Sequence, residues 1–109
     1  MTANLQLPSK QVSDVLVPVF PFQDQMAFGE LIIGAIVTVT VYTGIDPSPS
    51  VILSGTPQWS INQGLAVSQT VINGISGNVY LMVCSVTTSL SNTFLNQAYL
   101  AVINNTDMY

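Results

Sequence analysis

The residues that could do chemistry in this chain are few and badly matched. There is no histidine, one cysteine (Cys84), and a single Lys or Arg side chain, Lys10. Base-assisted nucleophilic catalysis needs a positioned imidazole or an equivalent, so the usual triads cannot be assembled. The five carboxylates, Asp14, Asp24, Glu30, Asp46 and Asp107, are scattered over turn-like and terminal segments. They read as solvated loop carboxylates, since turns select Asp for local hydrogen bonds. No pair of them is assigned as an acid and its base, and no catalytic residue is expected.

Metal and cofactor chemistry is as poorly supplied. One Cys without His cannot build a zinc or iron site. Asp46-Pro47-Ser48 does not resemble a calcium loop. Asn73-Gly74 and Gly77-Asn78 are too sparse to cradle a phosphate and read as turns. Cys84 lies mid-strand between Val83 and Ser85, where a small unreactive core side chain is the expectation. No metal, no cofactor and no enzymatic activity follow from these residues.

Composition points elsewhere. The 109 residues are 49% apolar but only 6% charged, against about a quarter charged in ordinary soluble domains. From Pro47 to Thr106 no residue carries a charge. Water there must be met by Ser, Thr, Asn and Gln, and solubility as a free monomer should be marginal. Surfaces depleted of charge resemble the cores of protein–protein contacts, where a buried charge would need a partner. A formal net charge of −4 with one base argues against nucleic acid and against anionic membranes as partners. Met1 to Gln11 is mostly polar, so no export signal is expected there. Leu31 to Ile45 is apolar over 15 residues but holds three Thr and two Gly. That suits a strand better than a membrane helix. A single cysteine is compatible with folding in a cytosol.

The elements that would carry any surface are strands. Val, Ile and Thr dominate outside the turns, with no convincing helical stripe. The predicted strands are Gln11–Phe20 (weakened by Pro18 and Pro21), Leu31–Tyr42, Gln58–Ile61, Leu65–Ile72, Val79–Thr88 and Thr93–Ile103, with Val51–Leu53 a short apolar piece. Gln23–Gly29 could form one helical turn closed by Gly29, Thr43–Ser50 a loop, Asn62-Gln63-Gly64 a tight hairpin, and Asn104–Tyr109 a polar tail. Alternation places Ala35, Val37, Val39 and Val41 on the core face of one strand and Tyr80, Met82, Cys84 and Val86 on the inward face of another. Leu81 and Val83 then point out of the sandwich, where a solitary domain would show polar residues. Trp59 is expected in the core, with an interface anchor as the alternative. Leu81, Val83 and Trp59 are therefore the candidate protein-interface residues. The fold expected is one all-β domain over residues 1–109, an immunoglobulin-like antiparallel sandwich of about seven strands with an extended N-terminal segment over about residues 1–22.

The run GELIIGAIVTVTVYTGIDPSPSVILSGTPQ and the later VSQTVINGISGNVYLMVCSVTTSLSNTFLNQAYLAVI resemble the phage fiber-tail adaptor proteins, over Gly29 to Ile103. The most specific stretches are Asp46-Pro47-Ser48-Pro49-Ser50, Gly77-Asn78-Val79-Tyr80-Leu81 leading to Cys84, and Val86-Thr87-Thr88-Ser89. The resemblance implies an Ig-like subunit of the virion of a tailed bacteriophage, made in the host cytoplasm. It would be present in many copies and would contact other virion proteins: portal-proximal tail subunits, tail fibers or, as a decoration protein on the capsid surface, the capsid protein. It carries over no residue-level site. Val17-Pro18-Val19-Phe20-Pro21-Phe22 departs from the pattern, being more apolar and proline-rich. A carbohydrate-binding or adhesion module is the alternative from another class, although exposed aromatics for stacking on sugar are scarce.

Overall fold

The computed structural model describes residues 2–7, 9–59 and 64–103, with only the backbone of 2–6. The described residues form eight strands: β1 Thr2–Gln6, β2 Lys10–Gln11, β3 Val19–Pro21, β4 Ile32–Thr43, β5 Leu53–Gln58, β6 Ala66–Val71, β7 Val79–Thr88 and β8 Thr93–Ile103. Two sheets pack as a sandwich. One has the order β1-β8-β7-β4, with β2 continuing beside β8, and the other the order β3-β6-β5. All pairs are antiparallel except β1 and β2, which run parallel to β8. With β1 and β2 taken as one interrupted first strand, the sheets are the C-F-G and B-E-D sets of an immunoglobulin-type sandwich. Among the described residues no helix is long and apolar enough to cross a membrane.

The core forms because the alternation of β4, β6, β7 and β8 puts one apolar row of each between the sheets. Val37, Val39, Val67, Val71, Tyr80, Met82, Cys84, Val86, Ala98, Leu100 and Val102 are buried there, closed at the ends by Phe20, Phe22 and Ile52. Each fully buried large apolar side chain contributes about 1.5–3 kcal/mol relative to exposure. Asn96 sits in the same inward row of β8 and is buried. Its Nδ2 donates to the Pro21 carbonyl (2.5 Å) and its Oδ1 accepts from Gln25 Nε2 (2.7 Å), a polar tie between the sheets.

Tyr80 closes the other end. Its hydroxyl donates to Asp46 Oδ2 (2.8 Å) and accepts the Ile75 N–H (3.0 Å). A tyrosine near the start of the sixth strand bonded to upstream backbone is a feature of these sandwiches. Asp46 Oδ1 also accepts the Ser48 N–H, and Asn78 Nδ2 donates to the Ile45 carbonyl. The Asp46-Pro47-Ser48 loop is thereby pinned to the loop before β7. Gly44 permits this approach: it has φ +109°, and a Cβ there would lie 2.0 Å from Asn78 Oδ1.

Several sequence expectations need correction. The predicted strand Gln11–Phe20 is broken into β2, a turn, a bridge from Leu16 to Val71, and β3. The early N-terminal segment also pairs with β8 as β1. The helical turn is a 3-10 turn over Gln23–Gln25 capped by Met26, not by Gly29. Val51 and Ile52 belong to a 3-10 turn, Pro49–Ile52, and Leu53 begins β5. The predicted Gln58–Ile61 strand is displaced, with Gln58 ending β5 and Trp59 outside it. Ser60, Ile61, Asn62, Gln63 and the tail Asn104–Tyr109 lie outside the described residues.

Candidate interaction face

The ionisable side chains are built into the scaffold more than the sequence suggested. Lys10 is fully buried, where Nζ donates to the carbonyls of Gln11 (2.8 Å), Val12 (2.9 Å) and Asn73 (2.6 Å). Burial lowers its pKa, and the Asp14 carboxylate pulls the other way. The one Lys or Arg side chain of the chain is thus an internal pin and not a surface cation.

Glu30 was expected in solvent but is 1% exposed. Its carboxylate accepts from the Ala27 N–H (2.8 Å), Asn92 Nδ2 (2.9 Å) and the Thr88 hydroxyl. These bonds, that from Thr88 foremost, hold its pKa below the ordinary carboxylate value. Asp46 is half-buried against Tyr80, whereas Asp14 and Asp24 are exposed. Asp107 lies outside the described residues. Glu30 and Asp46 precede and follow β4, at its opposite ends, so they form no acid–base pair. Among the described residues no three of His, Cys, Asp and Glu come together in a group that could hold a metal. Cys84 is buried, and burial pushes its thiol up to about 12.

What the strands do assemble is a face. In the β4-β7-β8 ladder Thr40, Leu81 and Tyr99 lie side by side, as do Thr38, Val83 and Gln97, and then Ile36, Ser85 and Leu95. All nine point away from the core, because their neighbours along each strand are the inward residues. Tyr42 joins them, its ring edge-on to Tyr99 at 5.0 Å between centroids. Ile36 and Tyr42 are about two-thirds exposed, and Leu81 and Val83 are half-buried by their own neighbours. None of these side chains is charged.

No protein-family model, no curated protein and no solved structure matches this chain.

Trp59 is not in the core. It is 36% exposed and walls a shallow depression of about 290 Å³ with Ile33, Gly34, Ala35, Ile36, Ser85 and Thr87. Ser85 belongs to the outer face, next to Val83 along β7, so the structure brings Trp59 to the margin of the same surface as Leu81 and Val83. A second apolar feature escaped the sequence reading. Phe28 is fully exposed at the tip of the loop before β4, with Leu31 and Leu90 also exposed. That tip is held by the Glu30 bonds and by two links between Leu31 and Ser89. The only sequence signal was the Phe28-Gly29 turn itself, which does not say which way a side chain faces.

A flat, uncharged sheet face of this kind can make dry contact with another protein without desolvating any ion, the step that makes burial of unpaired charge costly.

Proposed function

We propose that this chain is a non-catalytic structural subunit of a multi-copy protein assembly, a tail adaptor in the virion of a tailed bacteriophage that joins the tail machine to its fibers. The observation that carries the structural role is the outer face of β4, β7 and β8, where Leu81 and Val83 stand among Thr, Gln, Ile and Tyr with no charge. The placement in a phage tail rests on the resemblance over Gly29 to Ile103 and on the immunoglobulin-type order of the strands, which that resemblance implies. The partners are other virion proteins meeting this face and the segments at its edge. Trp59 at the margin supplies an aromatic anchor, a residue type enriched where interfaces are strongest.

The adaptor role is tested by removing the gene from its phage. Particles made without the chain should have filled heads and tails that lack fibers, and supplying the chain in trans should restore them. Fibered, infectious particles without the chain would overturn the adaptor reading. Heads that lose stability while keeping their fibers would move the chain to capsid decoration.

A further inference from the structure

We infer that Asn73 is a self-modification site: its side-chain amide closes on the Gly74 nitrogen, and Lys10 directs the ring to reopen as isoaspartate, which leaves a carboxylate beside the buried ammonium. The inference concerns the turn after β6 and holds whichever particle the chain serves.

Asn73 and Gly74 have φ of +55° and +101°, a region where Asn and Gly are the residues tolerated best. Gly74 is fixed more tightly still, since a Cβ there would lie 2.9 Å from Val102 Cγ2. The turn therefore sets an asparagine amide next to the least hindered kind of backbone nitrogen. Asn73 is exposed, and its one hydrogen bond is made by its main-chain carbonyl. The Gly74 N–H has no acceptor among the described residues. Neither reacting group has to break a hydrogen bond first. The other asparagines whose side chains are described differ on both counts. Asn78, Asn92 and Asn96 have their amides bonded to Ile45, Glu30 and Pro21 and are followed by Val79, Thr93 and Gln97.

The Gly74 nitrogen gives its proton to solvent and attacks Asn73 Cγ, and the amide nitrogen leaves as ammonia, so one C–N bond forms as another breaks. The product is a five-membered succinimide. Water then opens it at one of two carbonyls. Attack at Cγ releases the ring nitrogen from Cγ and gives aspartate. Attack at the Asn73 main-chain carbonyl releases the nitrogen from that carbon, so the backbone runs on through Cγ and the former carbonyl carbon becomes a free carboxylate. That second product is isoaspartate. Lys10 Nζ donates to this same main-chain carbonyl at 2.6 Å. A hydrogen bond from a cation stabilises the oxyanion that water addition creates there. The contact favours the product as well, because the acceptors around the buried ammonium are the neutral carbonyls of Gln11, Val12 and Asn73. Isoaspartate would give that ammonium an anionic partner, which a buried charge otherwise lacks at a cost.

The test incubates the full-length chain in mildly alkaline buffer, native and in denaturant, followed by ion exchange, peptide mapping and labelling with an isoaspartate methyltransferase. The native chain should gain one negative charge, with Asn73 reacting faster than Asn78, Asn92 or Asn96 by an order of magnitude. The isoaspartate share at Asn73 should be higher in the native chain than in denaturant, where Lys10 no longer touches the carbonyl. Asn73→Ser should abolish the charge change. Lys10→Met should lower the isoaspartate share to that of the denatured chain while Asn73 still reacts, and the comparison of native with denatured chain decides the matter if that variant does not fold. An Asn73 that stays an amide in the native chain while reacting in denaturant would overturn the inference, because the fold would then protect the site. Equal isoaspartate shares in the two states would overturn the directing role of Lys10.

Discussion

Cys84 and Glu30 show how differently burial treats two ionisable groups. Cys84 lies among Val, Met and Tyr side chains with no cation beside it, so desolvation alone raises its thiol to about 12, and the reactive thiolate is absent near neutrality. The native chain should resist alkylation until it is denatured, and labelling at the rate of a free thiol would contradict the core assignment. Glu30 is buried as deeply, yet three donors keep its carboxylate ionised. Its folded pKa lies below the ordinary value, so its stabilising contribution is complete above the unfolded carboxylate range and is lost as pH falls through the folded pKa. The melting temperature of the wild type should exceed that of Glu30→Gln at neutral pH, and the gap should narrow in acid below about pH 4.5. A gap independent of pH would show that the carboxylate is not held in its charged form. Neither the burial of Glu30 nor that of Lys10 was legible in the sequence. Both depend on donors or acceptors more than 50 residues away, Thr88 and Asn92 for the one and the Asn73 carbonyl for the other.

The elements were legible to the extent that period-two alternation alone specifies them. β7 and β8 match the expected strands residue for residue, and β4 is shifted by one. The inward row of Tyr80, Met82, Cys84 and Val86 is buried as expected, and in β6 the row of Val67, Gln69 and Val71 is buried beside it. Met82→Ala should cost about 2–5 kcal/mol, the range for large core truncations. Denaturant unfolding giving less than about 0.5 kcal/mol, a surface value, would mean that β7 is inside out. Alternation failed where the backbone is irregular. A turn at Val12-Ser13, closed by the Asp14 N–H on the Gln11 carbonyl, ends β2 and leaves pieces of two or three residues whose pairing is decided by β6 and β8 and not by local pattern. Trp59 was misplaced because it was expected inside a short strand between turns. β5 carries extra residues between Ser54 and Gln58 relative to β6, and Gln69 Nε2 fills the gap by donating to the Ser54, Gly55 and Thr70 carbonyls. β5 ends at Gln58, so Trp59 falls beyond the strand and not within one as expected.

At the scale of the whole molecule, the charges of the described residues lie off one side. The single Lys is internal, Glu30 and Asp46 serve loops at opposite ends, and the outer face of β4, β7 and β8 keeps only uncharged side chains. The outward direction of Leu81 and Val83 followed from the sequence once the inward row was known. The contribution of Ile36, Tyr42, Leu95 and Tyr99 to one continuous face required the register of three strands. A face that joins subunits should tolerate a solvated charge in the free chain and reject it in the assembly, where the ion would be desolvated without a partner.

Incorporation of Val83→Lys tests this most directly. Val83 points out of the sandwich, so the variant should fold with a melting temperature close to that of the wild type. When it is co-expressed with the wild-type chain during particle assembly, mass spectrometry of purified particles should find the variant strongly depleted relative to its share of the soluble pool. Equal incorporation of the two chains by a folded variant would contradict the account, because the uncharged face could not then be the surface that other subunits cover.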